Sequence, residues 1–184
     1  MQTVAERTQL PQIVESVYDC IADQTRWRDT LHQISRFADG HLAMIAVIDT
    51  ASRCARFSVS YGDEQVLRPL MSDYAAEVPF YSVVPHMELD VPITVDGIYE
   101  MQGPGMRQAW LDSRIAREWV APNHLDDFFW VALMKRPTRV GTMMIVTHKD
   151  RRAITSDEIA QVGLLAPHVR RAITISDLFE AEQQ

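Results

Sequence analysis

Residues 128–134, FFWVALM, form an apolar run with no polar position. A β-strand that is apolar on both of its alternating faces must be covered on both sides. The turn-forming residues 136–139, RPTR, lead into a second apolar run at 140–146, VGTMMIV, which we expect to return beside the first. These two strands predict three layers, with an antiparallel sheet in the middle and other segments on each face.

Two further strands are predicted nearer the N-terminus. Residues 41–48, HLAMIAVI, are apolar enough for a buried strand, and the turn residues 49–52, DTAS, follow. Residues 53–60, RCARFSVS, alternate between polar and apolar side chains, which favours a half-buried strand paired with the preceding one.

Helical periodicity appears before these strands. Apolar residues recur at helical spacing from Leu10 to Ile21, and Asp23 is placed to cap a second helix. Asp39-Gly40 would end that helix, with Gly40 in the left-handed position past its C-terminus. The second helix carries a narrow apolar stripe suited to packing against another helix, made of Trp27, Leu31, Ile34 and Ala38.

The last part of the chain predicts a long helix. Thr155 and Glu158 form a capping box, in which each side chain satisfies a free backbone N–H of the other residue, and Pro167 lies inside the helix that follows. A long terminal helix usually pairs with a copy of itself or leads into an output domain. We therefore expect a homodimer interface formed by Trp27, Leu31, Ile34, Leu165, Val169 and Ile173.

The segment 61–120 is rich in aromatic residues, and its middle is broken up by prolines and glycines. We expect this irregular segment to cover one face of the sheet, where bulky rings under a loose cover favour a small-molecule pocket. A plain aromatic core is the alternative. The predicted ligand-binding residues are Tyr61, Tyr74, Phe80, Tyr81, Trp110, Trp119, Phe128, Trp130 and Met144.

Charge disfavours nucleic-acid binding by this chain. The net charge is −7, and residues 61–100 account for all of it, with eight carboxylates against the single base Arg68. Phosphate neutralisation supplies most non-specific affinity for nucleic acids, and the sequence has no basic stripe to provide it.

Catalytic and metal-binding motifs are absent from the sequence. It contains no G-x-S-x-G, H-E-x-x-H or G-x-x-x-x-G-K-[ST] motif, and its six histidines are scattered. Cys20 and Cys54 are too few for a zinc site, and we expect reduced thiols. We therefore expect no catalytic residue, no metal and no cofactor.

No apolar run approaches the roughly 20 residues that span a bilayer. The first ten residues also lack the basic start and apolar core of a signal peptide. We expect a cytoplasmic protein with no membrane association.

Three local strings carry a family resemblance. Residues 23–31, DQTRWRDTL, are similar to a D-x-x-x-W-x-x-x-L element; residues 118–122, EWVAP, resemble a W-hydrophobic-x-P segment; and residues 164–172, LLAPHVRRA, resemble an L-x-P-H-hydrophobic-x-R-A helix. In this order they resemble the sensor region that precedes the helix-turn-helix domain in LuxR-type regulators of proteobacteria. The resemblance implies a GAF- or PAS-like sensor domain.

The resemblance also implies that DNA is contacted only through a helix-turn-helix domain. We find none in these 184 residues, and we expect either an excised sensor domain or a stand-alone relative. Acyl-homoserine-lactone receptors of the wider group carry an aspartate in a Y-x-x-x-D-P element. The nearest equivalents here are residues 77–79, EVP, and 83–85, VVP. The missing aspartate disfavours a lactone ligand.

We therefore predict one α+β domain over residues 1–184. Its GAF/PAS-like antiparallel sheet would carry the terminal helices, residues 1–40 and 153–184, on one face, and the covering segment within 41–152 on the other. The expected function is a dimerising regulatory domain that binds a small, partly apolar molecule between the sheet and the covering segment. A structural dimerisation module without ligand and a small soluble enzyme stay open as alternatives.

Overall fold

The computed structural model of the protein describes residues 4–52, 55–74, 79–103 and 105–182. Within them, five strands form one antiparallel sheet in the order β2-β1-β5-β4-β3. The strands are β1 (Leu42–Asp49), β2 (Ala55–Tyr61), β3 (Pro92–Ile93), β4 (Leu125–Arg136) and β5 (Arg139–His148). The apolar runs at 128–134 and 140–146 lie in β4 and β5, which pair next to each other as predicted.

The helices divide between the two faces of this sheet. Helices α1 (Val4–Ala22), α2 (Trp27–Phe37) and α6 (Ser156–Glu182) pack on one side, which we call the helix face. The other side, the cover face, is covered by α3 (Glu64–Ser72), a 3-10 segment (Pro79–His86), α4 (Val95–Gln102), α5 (Gly105–Asp112) and a π-helical turn (Ala116–Val120). Each face has its own apolar core, so the predicted three-layer α+β architecture is confirmed.

The residues that we expected at a dimer interface lie elsewhere. All six are between 0% and 3% exposed and belong to the helix-face core of a single protomer. They cannot contact a second copy there, so this prediction is wrong. The narrow stripes do mark helix packing, but α1, α2, α6 and the sheet bury them within one chain. The residues are Trp27, Leu31, Ile34, Leu165, Val169 and Ile173.

The predicted capping box forms at the start of α6. The backbone N–H of Thr155 donates to Glu158 Oε2 at 2.8 Å, and the backbone N–H of Glu158 donates to Thr155 Oγ1 at 3.4 Å. Burial of the Glu158 carboxyl acts to raise its pKa, but hydrogen bonds from Thr155 and Arg152 and the charge of Arg151 outweigh it, so the pKa is lowered. Glu158 thus stays ionised while it fixes the first turn of the longest helix in the described residues.

The turn after α2 differs from its prediction. Asp39, with φ at +50°, takes the left-handed position, and Gly40 does not. Gly40 serves close packing, because a Cβ built there would lie 2.4 Å from Ile145 Cγ2. The glycine therefore lets α2 end directly against β5.

Candidate functional site

A row of side chains runs in register across the cover face of the described sheet. Directly opposite Cβ atoms in antiparallel strands lie about 4.5–5.5 Å apart, so such a row forms a continuous surface. We call it the central strip. From edge to edge it consists of Ser60 on β2, Met44 on β1, Met144 on β5, Trp130 on β4 and Ile93 on β3.

The neighbouring row on the same face is made of small residues. Ser58, Ala46, Thr142 and Ala132 pair across β2, β1, β5 and β4. These side chains extend less far above the sheet than the two methionines and the tryptophan of the central strip. We call this row the small-residue strip.

Burial shows where the cover is dense and where it is open. On β4, Trp130 is 4% exposed and Ala132 is fully buried. On β1 and β5, Met44, Ala46 and Met144 all keep partial exposure. The cover is thus tight over β4 and looser over β1, β5 and the edge strand β2.

Trp119 anchors the π-helical turn to α3. Its indole Nε1 donates to the backbone carbonyl of Val66 at 2.7 Å, and its side chain is 4% exposed. Trp110 of α5, 7% exposed, belongs to the same cover-face core. Trp119 therefore holds two pieces of the cover together, while Trp110 contributes to the core above the sheet.

Tyr74 links the end of α3 to the same turn. Its hydroxyl donates to Glu118 Oε2 at 3.3 Å, and the Arg114 guanidinium lies 5.1 Å from the centre of its ring. Burial, together with the nearby Glu118 carboxylate, raises the pKa of Tyr74. The hydroxyl therefore stays protonated at neutral pH and keeps donating to Glu118.

Asp127 joins the cover to β4. Its Oδ1 accepts hydrogen bonds from the backbone N–H of Val95 at 2.9 Å and from that of Phe128 at 2.7 Å. Burial raises the pKa of this carboxyl, opposed by those two hydrogen bonds. The contact holds the first turn of α4 beside the strand that carries Phe128 and Trp130.

Most of the described members of the predicted ligand site lie on the cover face. The six that do so are Tyr74, Trp110, Trp119, Phe128, Trp130 and Met144. Tyr61 does not: it packs on the helix face, where its ring stacks on His32 of α2 with 4.5 Å between the ring centres. Its assignment to the site was wrong. The side chains of Phe80 and Tyr81 lie outside the described part of the protein.

The structure adds residues that the sequence reasoning missed. Met44, Ala46 and Thr142 lie beside Met144 on the cover face. The predicted strand at 41–48 contained two of them, but its run of apolar residues did not indicate which would face the cover. The pairing of β1 with β5 decides this.

A groove opens at the β2 edge of the cover face. It encloses about 290 Å³ and is lined by Arg28 of α2, Ser60 of β2, and Glu64, Leu67 and Arg68 of α3. Arg28 Nη1 lies 3.5 Å from Glu64 Oε1, and both side chains are mostly exposed. Ser60 belongs to the central strip as well, so the groove meets the strip at the open side of the cover.

Other chemistry has few candidates in the described residues. No group of three or more His, Cys, Asp or Glu side chains among them is placed to hold a metal ion. Cys20 is buried, and burial raises the pKa of its thiol, while Cys54 lies outside the described residues. None of the helices described here is both long and apolar enough to cross a membrane.

Known proteins resemble this chain in structure but not in sequence. No protein-family profile matches it, and no curated protein matches it in sequence. The LBD domain of VqsR from Pseudomonas aeruginosa superposes with a TM-score of 0.64 and 14% identity, over 96% of this chain and 99% of that one.

Two further solved structures extend this likeness. CepR2 from Burkholderia cenocepacia, an N-acylhomoserine lactone dependent LuxR family transcription factor, gives a TM-score of 0.61 at 10% identity, over 91% of this chain and 94% of its own. The GAF domain/HD domain protein from Geobacter sulfurreducens gives a TM-score of 0.52 at 13% identity, over 90% of this chain and 98% of its own. At these identities the likeness concerns the fold, and the predicted GAF-like fold is confirmed.

Proposed function

We propose that this chain is the ligand-sensing regulatory domain of a LuxR-type transcriptional regulator. Its ligand would be a small, partly apolar molecule that lies on the cover face, over the central and small-residue strips. One observation carries the proposal: Met44 and Met144, opposite each other in mid-sheet, keep partial exposure under a cover that is tight elsewhere. The fold shared with CepR2 supports a regulatory role over a catalytic one.

The ligand signal would leave the domain through α6. The backbone N–H of Asp90 donates to the carbonyl of Ala132, in the small-residue strip, at 3.1 Å. The Asp90 carboxylate accepts from Nε of Arg170, with both oxygens at 2.8 Å. A ligand that displaces the strand at Ala132 would therefore move a direct partner of α6. DNA contact would be made by a helix-turn-helix domain and not by this acidic domain.

We expect a bound ligand to raise the melting temperature of the protein. A ligand at a hundred times its Kd adds about 2.7 kcal/mol to the stability, which corresponds to roughly 5–10 °C for a domain of this size. A thermal-shift screen against a metabolite library that contains acyl lactones, monoacylglycerols and fatty acids measures this effect.

A site-filling variant gives the control. Ala46→Phe places a ring in the small-residue strip and should abolish the shift, whereas Ala51→Phe in the exposed β1–β2 turn should leave it unchanged. If no compound in the library stabilises the wild type, the structural module without ligand becomes the better description. Three tryptophans of this face, Trp110, Trp119 and Trp130, are almost completely buried. At their positions, this burial favours the structural module without ligand.

We also propose that the domain forms a homodimer through the outer surface of α6. Leu164 and Ile175 on this helix are 57% and 36% exposed, and Arg171 lies between them at helical spacing. The Leu164→Asp/Ile175→Asp double variant should shift a dimer to a monomer in light scattering at micromolar concentration. Leu111→Asp, at a 53% exposed position on α5, is the matched control and should remain dimeric. A wild-type monomer in the same experiment contradicts the proposal.

A further inference from the structure

The groove at the β2 edge continues the ligand surface to the outside of the protein. Ser60 lines the groove and also begins the central strip, where it pairs with Met44. Leu67 of α3 supplies an apolar part of its lining. Ser60 therefore places the groove next to the β2 end of the central strip.

The groove is positively charged in an acidic part of the protein. Arg68 is the single base among residues 61–100, and within the described residues its guanidinium has no hydrogen-bonding or ion-pair partner. Arg28 is held by one contact of 3.5 Å to Glu64, and the two side chains are 58% and 79% exposed. Such an exposed pair contributes little stability and exchanges readily for a better partner. Two arginines and one glutamate thus line the groove.

We infer that the ligand of this domain carries an anionic carboxylate head, bound between Arg28 and Arg68, on an acyl chain that extends along the central strip. The inference rests on the proposed function and adds the chemical class of the ligand. Guanidinium groups bind carboxylates through paired N–H···O bonds, which are stronger than bonds between neutral groups. Glu64 would turn toward solvent when the ligand carboxylate takes its place beside Arg28.

The central strip suits the chain of such a ligand. Its four positions from β2 to β4 span three strand spacings, about 14 Å. Beyond Ser60, the side chains along it are Met44, Met144 and Trp130, and none is charged. Methionine adapts to flexible apolar partners because its unbranched side chain rotates freely. A medium-length saturated chain therefore fits the strip, with its far end against Trp130.

Calorimetric titration with decanoate and with its neutral methyl ester tests the inference. Decanoate should bind the wild type more tightly than the ester does. The Arg28→Gln/Arg68→Gln double variant should bind decanoate at least about tenfold more weakly, since charge-assisted hydrogen bonds are lost, and should bind the ester as before. Arg36→Gln, an exposed arginine on α2, is the matched control and should leave both affinities unchanged. Added salt should weaken the binding of decanoate selectively.

The outcomes separate this inference from the proposed function. Equal affinity for acid and ester, or unchanged decanoate binding in the double variant, overturns the anionic head while a ligand still binds the cover face. Decanoate binding that survives Ala46→Phe means that the arginines hold the acid at the surface alone, which also overturns the inference. If a neutral library compound binds and decanoate does not, the inference of an anionic head is overturned as well. If neither probe nor any library compound binds, the proposed function fails as well.

Discussion

Replacing Phe129 with alanine should lower the free energy of unfolding by about 3–5 kcal/mol, the usual cost of truncating a buried aromatic residue. Phe129 is fully buried in the helix-face core, between β4 and the terminal helices. The loss is a large part of the stability of an ordinary domain, about 5–15 kcal/mol. Urea denaturation measures it.

The same variant tests whether the two faces of the sheet are independent. Phe129 and Trp130 are adjacent in β4 but point to opposite faces. Phe129→Ala should therefore leave ligand affinity unchanged, whereas Trp130→Ala should reduce it. If Phe129→Ala is too unstable to assay, Phe129→Leu keeps most of the packing and permits the binding measurement. Equal losses of affinity in the Phe129 and Trp130 variants would contradict the assignment of the ligand to the cover face.

Trp119→Ala should cost a similar 3–5 kcal/mol and also change the response to ligand. The indole fills the cover-face core, and its Nε1 holds the π-helical turn to Val66 of α3 at 2.7 Å. Without it, α3 keeps the hydrogen bond from Tyr74 to Glu118 but loses the one at Val66, and α3 also carries Leu67 and Arg68 of the groove. Denaturation and ligand titration of the same preparation measure the two effects.

Trp119→Phe separates packing from the hydrogen bond. It keeps an aromatic ring in the core but leaves the Val66 carbonyl without its indole partner, so a smaller loss of about 0.5–1.5 kcal/mol is expected. If Trp119→Ala destabilises the protein while affinity and ligand preference stay the same, Trp119 is a core residue only. The cover would then contribute nothing to the site through this tryptophan.

The location of the predicted site residues on the cover face could be predicted where residue type and position in the chain were sufficient. Large aromatic residues in the irregular segment had to cover an apolar sheet, and Tyr74, Trp110 and Trp119 do so. Tyr61 was assigned to the wrong face of the sheet, although the alternation of residues in β2 indicates the correct face. It has the same alternation as Phe57 and Val59, and all three pack on the helix face.

The sequence by itself determined the layers and the local ends of the elements. A run that is apolar at both alternating positions, residues 128–134, required cover on both faces, and both covers are present. The capping box of Thr155 and Glu158 could also be predicted from the sequence, because its partners are three residues apart and its hydrogen bonds need no other part of the fold. Local spacing and periodicity are properties of the chain alone.

Only the tertiary structure decided which distant residues share a surface. Met44 and Met144 are a hundred positions apart and become direct neighbours through the pairing of β1 with β5. Arg28 and Arg68, forty positions apart, line the same groove. His41, His124 and His148, which look scattered in the sequence, come together with ring centres 5.4 and 6.0 Å from that of His148. Strand register is set by hydrogen bonds and burial between remote segments, and a shift of one residue turns every side chain to the opposite face.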